Sequence, residues 1–191
     1  VQWFGKLPFN KISDFNADLV SLCPHKFYGP KGAGLLYSKT PFLPSPLVLG
    51  GSHENERRAG TENLSAIVGM SLAIDLFLKN PPFPPSSLGP FSSRLISFID
   101  SFEGAFFVGD RSLSGRLSNT VSFSFPSSDS IALLSALDLV GICASSGSAC
   151  SSGSLNPSHV VLSLDNDFSA SNSLVRFSLG RDTSSSDVDF V

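Results

Sequence analysis

A lysine amine, a thiol, a guanidinium and a helix N-terminus are the groups in this sequence whose settings invite chemistry. Lys26 closes Pro24-His25-Lys26, where a loop must begin after 18–23, a short run with strand character. An amine just past a strand end sits at the edge where open α/β sheets gather ligands. Gly29, Pro30, Gly32 and Gly34 then form a tight loop before a second short strand at 35–37. A hairpin-like turn with a solvated lysine fits the same spacing. Cys150 lies in the ten-residue run 145–154, in which every residue is small. Such a loop buries little, so Cys150 is expected to be exposed and able to swing to a substrate and carry sulfur away, whereas Cys143, on a strand, is expected in the core. A Gly/Ser loop with an incidental cysteine is the alternative.

In the strand expected over 174–179, Val175, Phe177 and Leu179 share one face, and Arg176 and Ser178 share the other. A guanidinium placed there could grip a carboxylate bidentately, or simply face solvent. Thr61 follows a polar, glycine-flanked loop carrying Glu54, Glu56, Arg57 and Arg58, and reads as a helix N-cap. Leu64, Ile67, Val68, Ser71, Ile74 and Leu78 then recur at helical spacing to about Lys79. The free N–H groups of that helix start suit a phosphate, although a capped surface helix needs none.

The elements that must position these groups change character along the chain. Residues 80–90 hold five prolines and no helical period, which marks a linker between domains. After it, a short helix at 92–102, a strand at 120–125, a helix at 130–140 closed by Gly141, and strands at 142–144 and 174–179 read as a small α+β domain. The expected organisation is therefore a first domain over 1–79, the linker 80–90, and a second domain over 91–191 carrying the cysteine loop. Val1 in place of Met suggests the middle of something longer, and residues 183–187 read as a helix start just before the sequence ends.

Composition removes several classes of function. Of 191 residues, 41% are hydrophobic and 15% charged, enough apolar material for one domain or pieces of two, so the chain is not disordered by composition. The net charge is -3 and the 13 Lys and Arg residues are scattered, so no basic face is offered to nucleic acid. The longest apolar stretch, 64–78, is interrupted by Asp75 and falls short of the roughly 20 residues that cross a bilayer. Three cysteines cannot all pair within the chain and no secretory h-region opens it, which points to a reducing compartment, the cytoplasm. No metal site is expected.

Four blocks carry a resemblance to a known family: residues 18–32 with Pro24-His25-Lys26-Phe27-Tyr28-Gly29-Pro30, then Arg58-Ala59-Gly60-Thr61-Glu62-Asn63, then 145–154 with Pro157-Ser158-His159, and Val175-Arg176-Phe177-Ser178-Leu179-Gly180-Arg181. In this order they resemble the pyridoxal-phosphate enzymes of class V aminotransferase fold. Within that family the chain is most similar to cysteine desulfurases of the NifS and IscS type, in their C-terminal half. The resemblance implies an α/β fold made of the end of the large domain and a small α+β domain. It implies Lys26 as the lysine that binds pyridoxal 5'-phosphate, His25 at the cofactor phosphate, Gln2 at its phenolic oxygen, and Thr61 at the phosphate of a neighbouring subunit in a homodimer. Arg176 would bind the carboxylate of L-cysteine and Cys150 would take its sulfur as a persulfide, for a sulfur-acceptor protein such as an iron–sulfur scaffold. Cys23 stands where the family usually has a phosphate-binding serine. The histidine that stacks on the cofactor and the aspartate at its ring nitrogen belong to the half that the resemblance does not reach. Another class V enzyme, or a non-catalytic remnant, are the competing readings.

Overall fold

The computed structural model describes residues 2–8, 11–39, 43–126, 128–147, 159–164 and 173–191. They divide into two compact units, Val1–Pro82 and Phe83–Val191.

In the first unit, β1 (Leu19–Leu22) and β2 (Leu35–Ser38) pair antiparallel, from Leu19 opposite Ser38 to Leu22 opposite Leu35. A short 3₁₀ turn, Pro24–Lys26, follows β1, with Pro24 at its first position, where a missing N–H costs nothing. After a single short turn, α1 (His53–Glu56), comes the long helix α2 (Leu64–Lys79). The spacing predicts α2 closely, but its cap is not Thr61. The Asn63 side chain accepts from the Ala66 N–H at 3.2 Å, because an asparagine carbonyl reaches the third N–H as well as a threonine hydroxyl does. The buried side also differs from the expected stripe of Leu64, Ile67, Val68, Ser71, Ile74 and Leu78, of which Ile67 and Ile74 are half-buried and the rest exposed. Ala66, Met70 and Ala73 face inward, while Leu64, Val68, Leu72, Leu76 and Leu78 are exposed. The small inward residues let Phe4 and Phe27 pack against Ala73, with Leu22, Ile74 and Phe77 around them.

The second unit is a three-stranded antiparallel sheet in the order β3 (Phe106–Phe107), β4 (Thr120–Ser124), β5 (Leu174–Ser178). The alternation in β4 and β5 puts Val121 opposite Phe177 and Phe123 opposite Val175. These four residues join Leu95, Ile96 and Ile99 of α3 (Pro85–Ile99) and Val188 of α6 (Ser185–Phe190) in one core. Leu133, Leu134 and Leu137 of α4 (Ser130–Leu139) pack on it, and α5 (His159–Leu164) adds Val161 against Leu174. Between the strands, the Ser124 and Ser173 hydroxyls pair at 2.8 Å and so satisfy each other inside the core.

Two expectations for this unit are corrected. Helix α3 begins at Pro85, well inside the proline-rich stretch read as linker, because Pro84 and Pro85 occupy the helix start, where proline is preorganised. Residues 142–144 are not a strand and Cys143 is not in the core. Gly141, at φ 84°, ends α4, and the Ile142 N–H turns back to the Leu137 carbonyl at 2.8 Å. That turn directs Ile142 and Ala144 at the core and leaves the Cys143 thiol exposed between them.

The six-residue α6 is held by a capping box, in which the Ser184 N–H donates to the Asp187 carboxylate at 2.8 Å and the Asp187 N–H donates to the Ser184 hydroxyl at 3.3 Å. The Ser184 N–H and then its hydroxyl hold the Asp187 carboxyl below the usual carboxylate value. A group whose folded pKa is depressed stabilises the fold above its unfolded pKa, and that contribution is lost as pH falls through the folded value. Acidification below about pH 4 is therefore expected to fray α6. An NMR titration of the Ser184 amide checks it. Asp187→Asn should abolish the titration, and an unmoved Ser184 signal in the wild type would contradict the box.

Candidate functional site

The Lys26 turn is fixed on both sides of the lysine. Pro24 is buried and its carbonyl accepts two N–H groups, from Phe27 and from Gly29, each at 2.9 Å. Phe27 is fully buried, tilted against Phe4 at 4.5 Å between ring centroids and edge-on to Phe77 at 6.5 Å. These anchors leave His25 exposed and Lys26 half-buried, and no ion pair reaches the Lys26 amine among the described residues. Backbone constraints continue past the lysine. Tyr28 adopts φ 64°, unusual for a bulky side chain. A Cβ on Gly29 would stand 2.5 Å from Pro24 Cβ, so this position admits glycine alone.

Two further candidates are drawn toward this turn. Gln2 is exposed two residues before Phe4, whose ring lies on Phe27. Thr61 is exposed two residues before the Asn63 cap, and the Asn63 amide is 3.7 Å from where a Cβ of Gly32 would stand. The first unit therefore gathers the Lys26 turn, the segment bearing Gln2 and the N-terminal end of α2 into one neighbourhood. Just upstream, Glu54, Asn55 and Glu56 all have positive φ, at 52°, 54° and 63°. Three successive non-glycine residues in that region store strain beside the Thr61 segment. The loop composition gives no signal for it.

Arg176 belongs to the second unit, on the β5 face opposite Val175 and Phe177, as the alternation predicts. Its backbone exchanges hydrogen bonds with Ser145 at 2.7 and 3.0 Å, which ties the start of the cysteine loop to the strand. One guanidinium nitrogen lies 3.4 Å from the Ser145 hydroxyl, and the buried Nε–H has no partner among the described residues. The three arginines of the described ion pairs, Arg94, Arg111 and Arg181, each hold an aspartate, whereas Arg176 has none. A half-buried guanidinium with an unsatisfied N–H is a chemically apt receptor for a carboxylate. Residues 148–158 lie outside the described residues, and Cys150, with its expected exposure, is among them. A separate cleft of 240 Å³ in the second unit, walled by Phe177, Leu179, Val188 and Phe190, includes Cys143 and none of the residues singled out for catalysis or binding.

Three kinds of comparison agree on the lineage of this arrangement. The aminotransferase class-V family model matches residues 1–191. The chain is 41% identical over 192 residues to a cysteine desulfurase IscS of Clostridium botulinum (strain Hall), 41% identical to a cysteine desulfurase of Rhodobacter capsulatus, and 38% identical to the cysteine desulfurase NifS of Azotobacter vinelandii. All of this chain is covered in each case, against 48%, 49% and 47% of the respective relatives. The chain thus spans about half the length of the curated relatives it matches. Among solved structures, the NifS-like protein of Rickettsia africae superposes with a TM-score of 0.85 at 29% identity, over all of this chain and 49% of that one.

Proposed function

The chain belongs to the aminotransferase class-V family, and from that membership we propose that it forms part of a pyridoxal-phosphate-dependent cysteine desulfurase that moves sulfur from L-cysteine to a protein acceptor. The observation that carries this reading is the Lys26 turn, where a half-buried primary amine with no described counter-charge is locked between two buried anchors, Pro24 and Phe27. The names of the relatives supply the reaction, and the residues here fit the cofactor it needs. Lys26 offers the amine, His25 beside it and Gln2 two residues before Phe4 are exposed polar groups, and Thr61 lies just before the N-terminus of α2, whose helix dipole favours a phosphate. Pyridoxal phosphate, when bound, withdraws electrons from the substrate carbon framework and so weakens its C–S bond.

The remaining work falls to side chains. Lys26 holds the cofactor and then carries a proton at its amine. Arg176 orients the substrate by its carboxylate, using a guanidinium that no aspartate or glutamate engages among the described residues. The Cys150 thiolate bonds to the substrate sulfur as the C–S bond breaks, which leaves a persulfide on Cys150 and alanine as the carbon product. The acceptor is an iron–sulfur scaffold or a thiolation protein in the cytoplasm. The working unit is a homodimer in which Thr61 reaches the neighbouring subunit's phosphate. No helix among the described residues is long and apolar enough to cross a membrane.

The test uses the full chain with pyridoxal phosphate, borohydride reduction and peptide mapping. Lys26 should carry most of the phosphopyridoxyl label. Even labelling of Lys26 and the exposed Lys11, Lys31, Lys39 and Lys79 would refute the cofactor assignment.

A further inference from the structure

We infer that Gly69 is a positioning residue for Lys26, acting through Pro30. Glycine is the least favourable residue inside a helix after proline, so its presence in the second turn of α2 needs a cause. The cause is a close approach. A Cβ on Gly69 would stand 2.9 Å from Pro30 Cγ and 3.3 Å from Pro30 Cδ, closer than carbon atoms tolerate without movement. The atoms it would strike belong to a rigid ring rather than to the end of a flexible side chain.

Pro30 lies four residues past Lys26, and the chain between them has no slack. Phe27 is fully buried, the Gly29 N–H is bonded to the Pro24 carbonyl at 2.9 Å, and Gly29 itself rests against Pro24. Lifting Pro30 off α2 therefore lifts Gly29, strains the Pro24 carbonyl that both N–H groups share, and shifts the backbone of Lys26. The bare surface at Gly69 sets the height at which the turn rides on the helix. That this height matters to a cofactor rests on the proposed role of Lys26, whereas the steric coupling does not.

The full chain is compared as wild type, Gly69→Ala, Pro30→Ala and the double variant. Two quantities are read: amide exchange at Phe27 and Gly29, and borohydride-trapped phosphopyridoxyl on Lys26. Gly69→Ala should speed exchange at both amides and lower Lys26 labelling, each about tenfold, as overpacking against a rigid neighbour does. Pro30→Ala removes Cγ and Cδ, so the double variant should return both readouts to within about twofold of Pro30→Ala alone, a coupling that independent sites do not show. A purely helical effect predicts the opposite sign, since alanine strengthens a helix. Unchanged exchange in Gly69→Ala, or additive effects in the double variant, overturns the inference. If Gly69→Ala fails to fold while the double variant folds, the steric coupling is upheld; failure of both overturns it. A wild type that takes no label on Lys26 but shows the exchange pattern removes the cofactor reading and leaves the steric coupling standing.

Discussion

With the remaining length of a relative supplied as a second chain, Lys26→Ala should lose the visible absorbance of bound cofactor, while Cys150→Ser keeps it and loses sulfide release from cysteine. The two variants separate holding the cofactor from taking the sulfur. Lys26 is the half-buried amine of a turn whose neighbours are fixed in the core, so truncating it removes the attachment point and leaves Pro24 and Phe27 packed as before. Serine at 150 keeps the size of the side chain and removes the soft nucleophile. Loss of a covalent nucleophile costs at least about a thousandfold in rate. Absorbance and a sulfide assay on the same samples decide it. A Cys150→Ser preparation that releases sulfur at the wild-type rate would end the assignment of Cys150, and a coloured Lys26→Ala preparation would end that of Lys26.

The parts of the fold legible in the sequence are those where one periodicity acts alone. The alternation of Val121 and Phe123, and of Val175 and Phe177, gives β4 and β5 and the side on which Arg176 lies, because a strand buried on one face has no other way to place those side chains. The extent of α2 is legible for the same reason, but its buried face is not. Leu64, Ile67, Val68, Ile74 and Leu78 look like a core stripe, yet Ala66, Met70 and Ala73 lie inward, since the Lys26 turn and Phe27 need room that larger side chains would fill. Cys143 misleads in a different way. A tripeptide of Ile, Cys and Ala has strand composition, but the hydrogen bond from Ile142 to Leu137 belongs to the helix stop at Gly141, and a stop signal governs the two residues after it. Pro84 and Pro85 likewise read as breakers when they are helix starters. For the site, residue type and position after a strand pick out Lys26, and alternation picks out Arg176. The contact between Gly69 and Pro30 is invisible, because nothing in a sequence says which distant proline a helical glycine will meet.

The largest stability effect in the second unit is expected at Phe123. Its side chain is fully buried at the centre of the three-stranded sheet, with Phe107 opposite it on β3 and Val175 opposite it on β5. The Phe107 ring meets it edge-on at 5.4 Å and the Phe125 ring is tilted at 6.5 Å, so the loss includes aromatic contacts as well as transfer from water. Leu95, Ile96 and Ile99 of α3 belong to the same cluster, and backbone pairing holds the strands on either side, so the gap cannot close by a simple collapse. Phe123→Ala should therefore cost about 3–5 kcal/mol, a large part of the roughly 5–15 kcal/mol that holds a typical domain folded. Ser122→Ala, one residue away on the opposite face, serves as the control and should stay within about 0.5 kcal/mol. Urea unfolding followed by far-UV circular dichroism measures both, provided the slopes of the transitions match. A Phe123→Ala cost below about 1 kcal/mol would mean that the site relaxes around the missing ring. The β4 alternation would then not be what ties α3 and α6 to the sheet that carries Arg176.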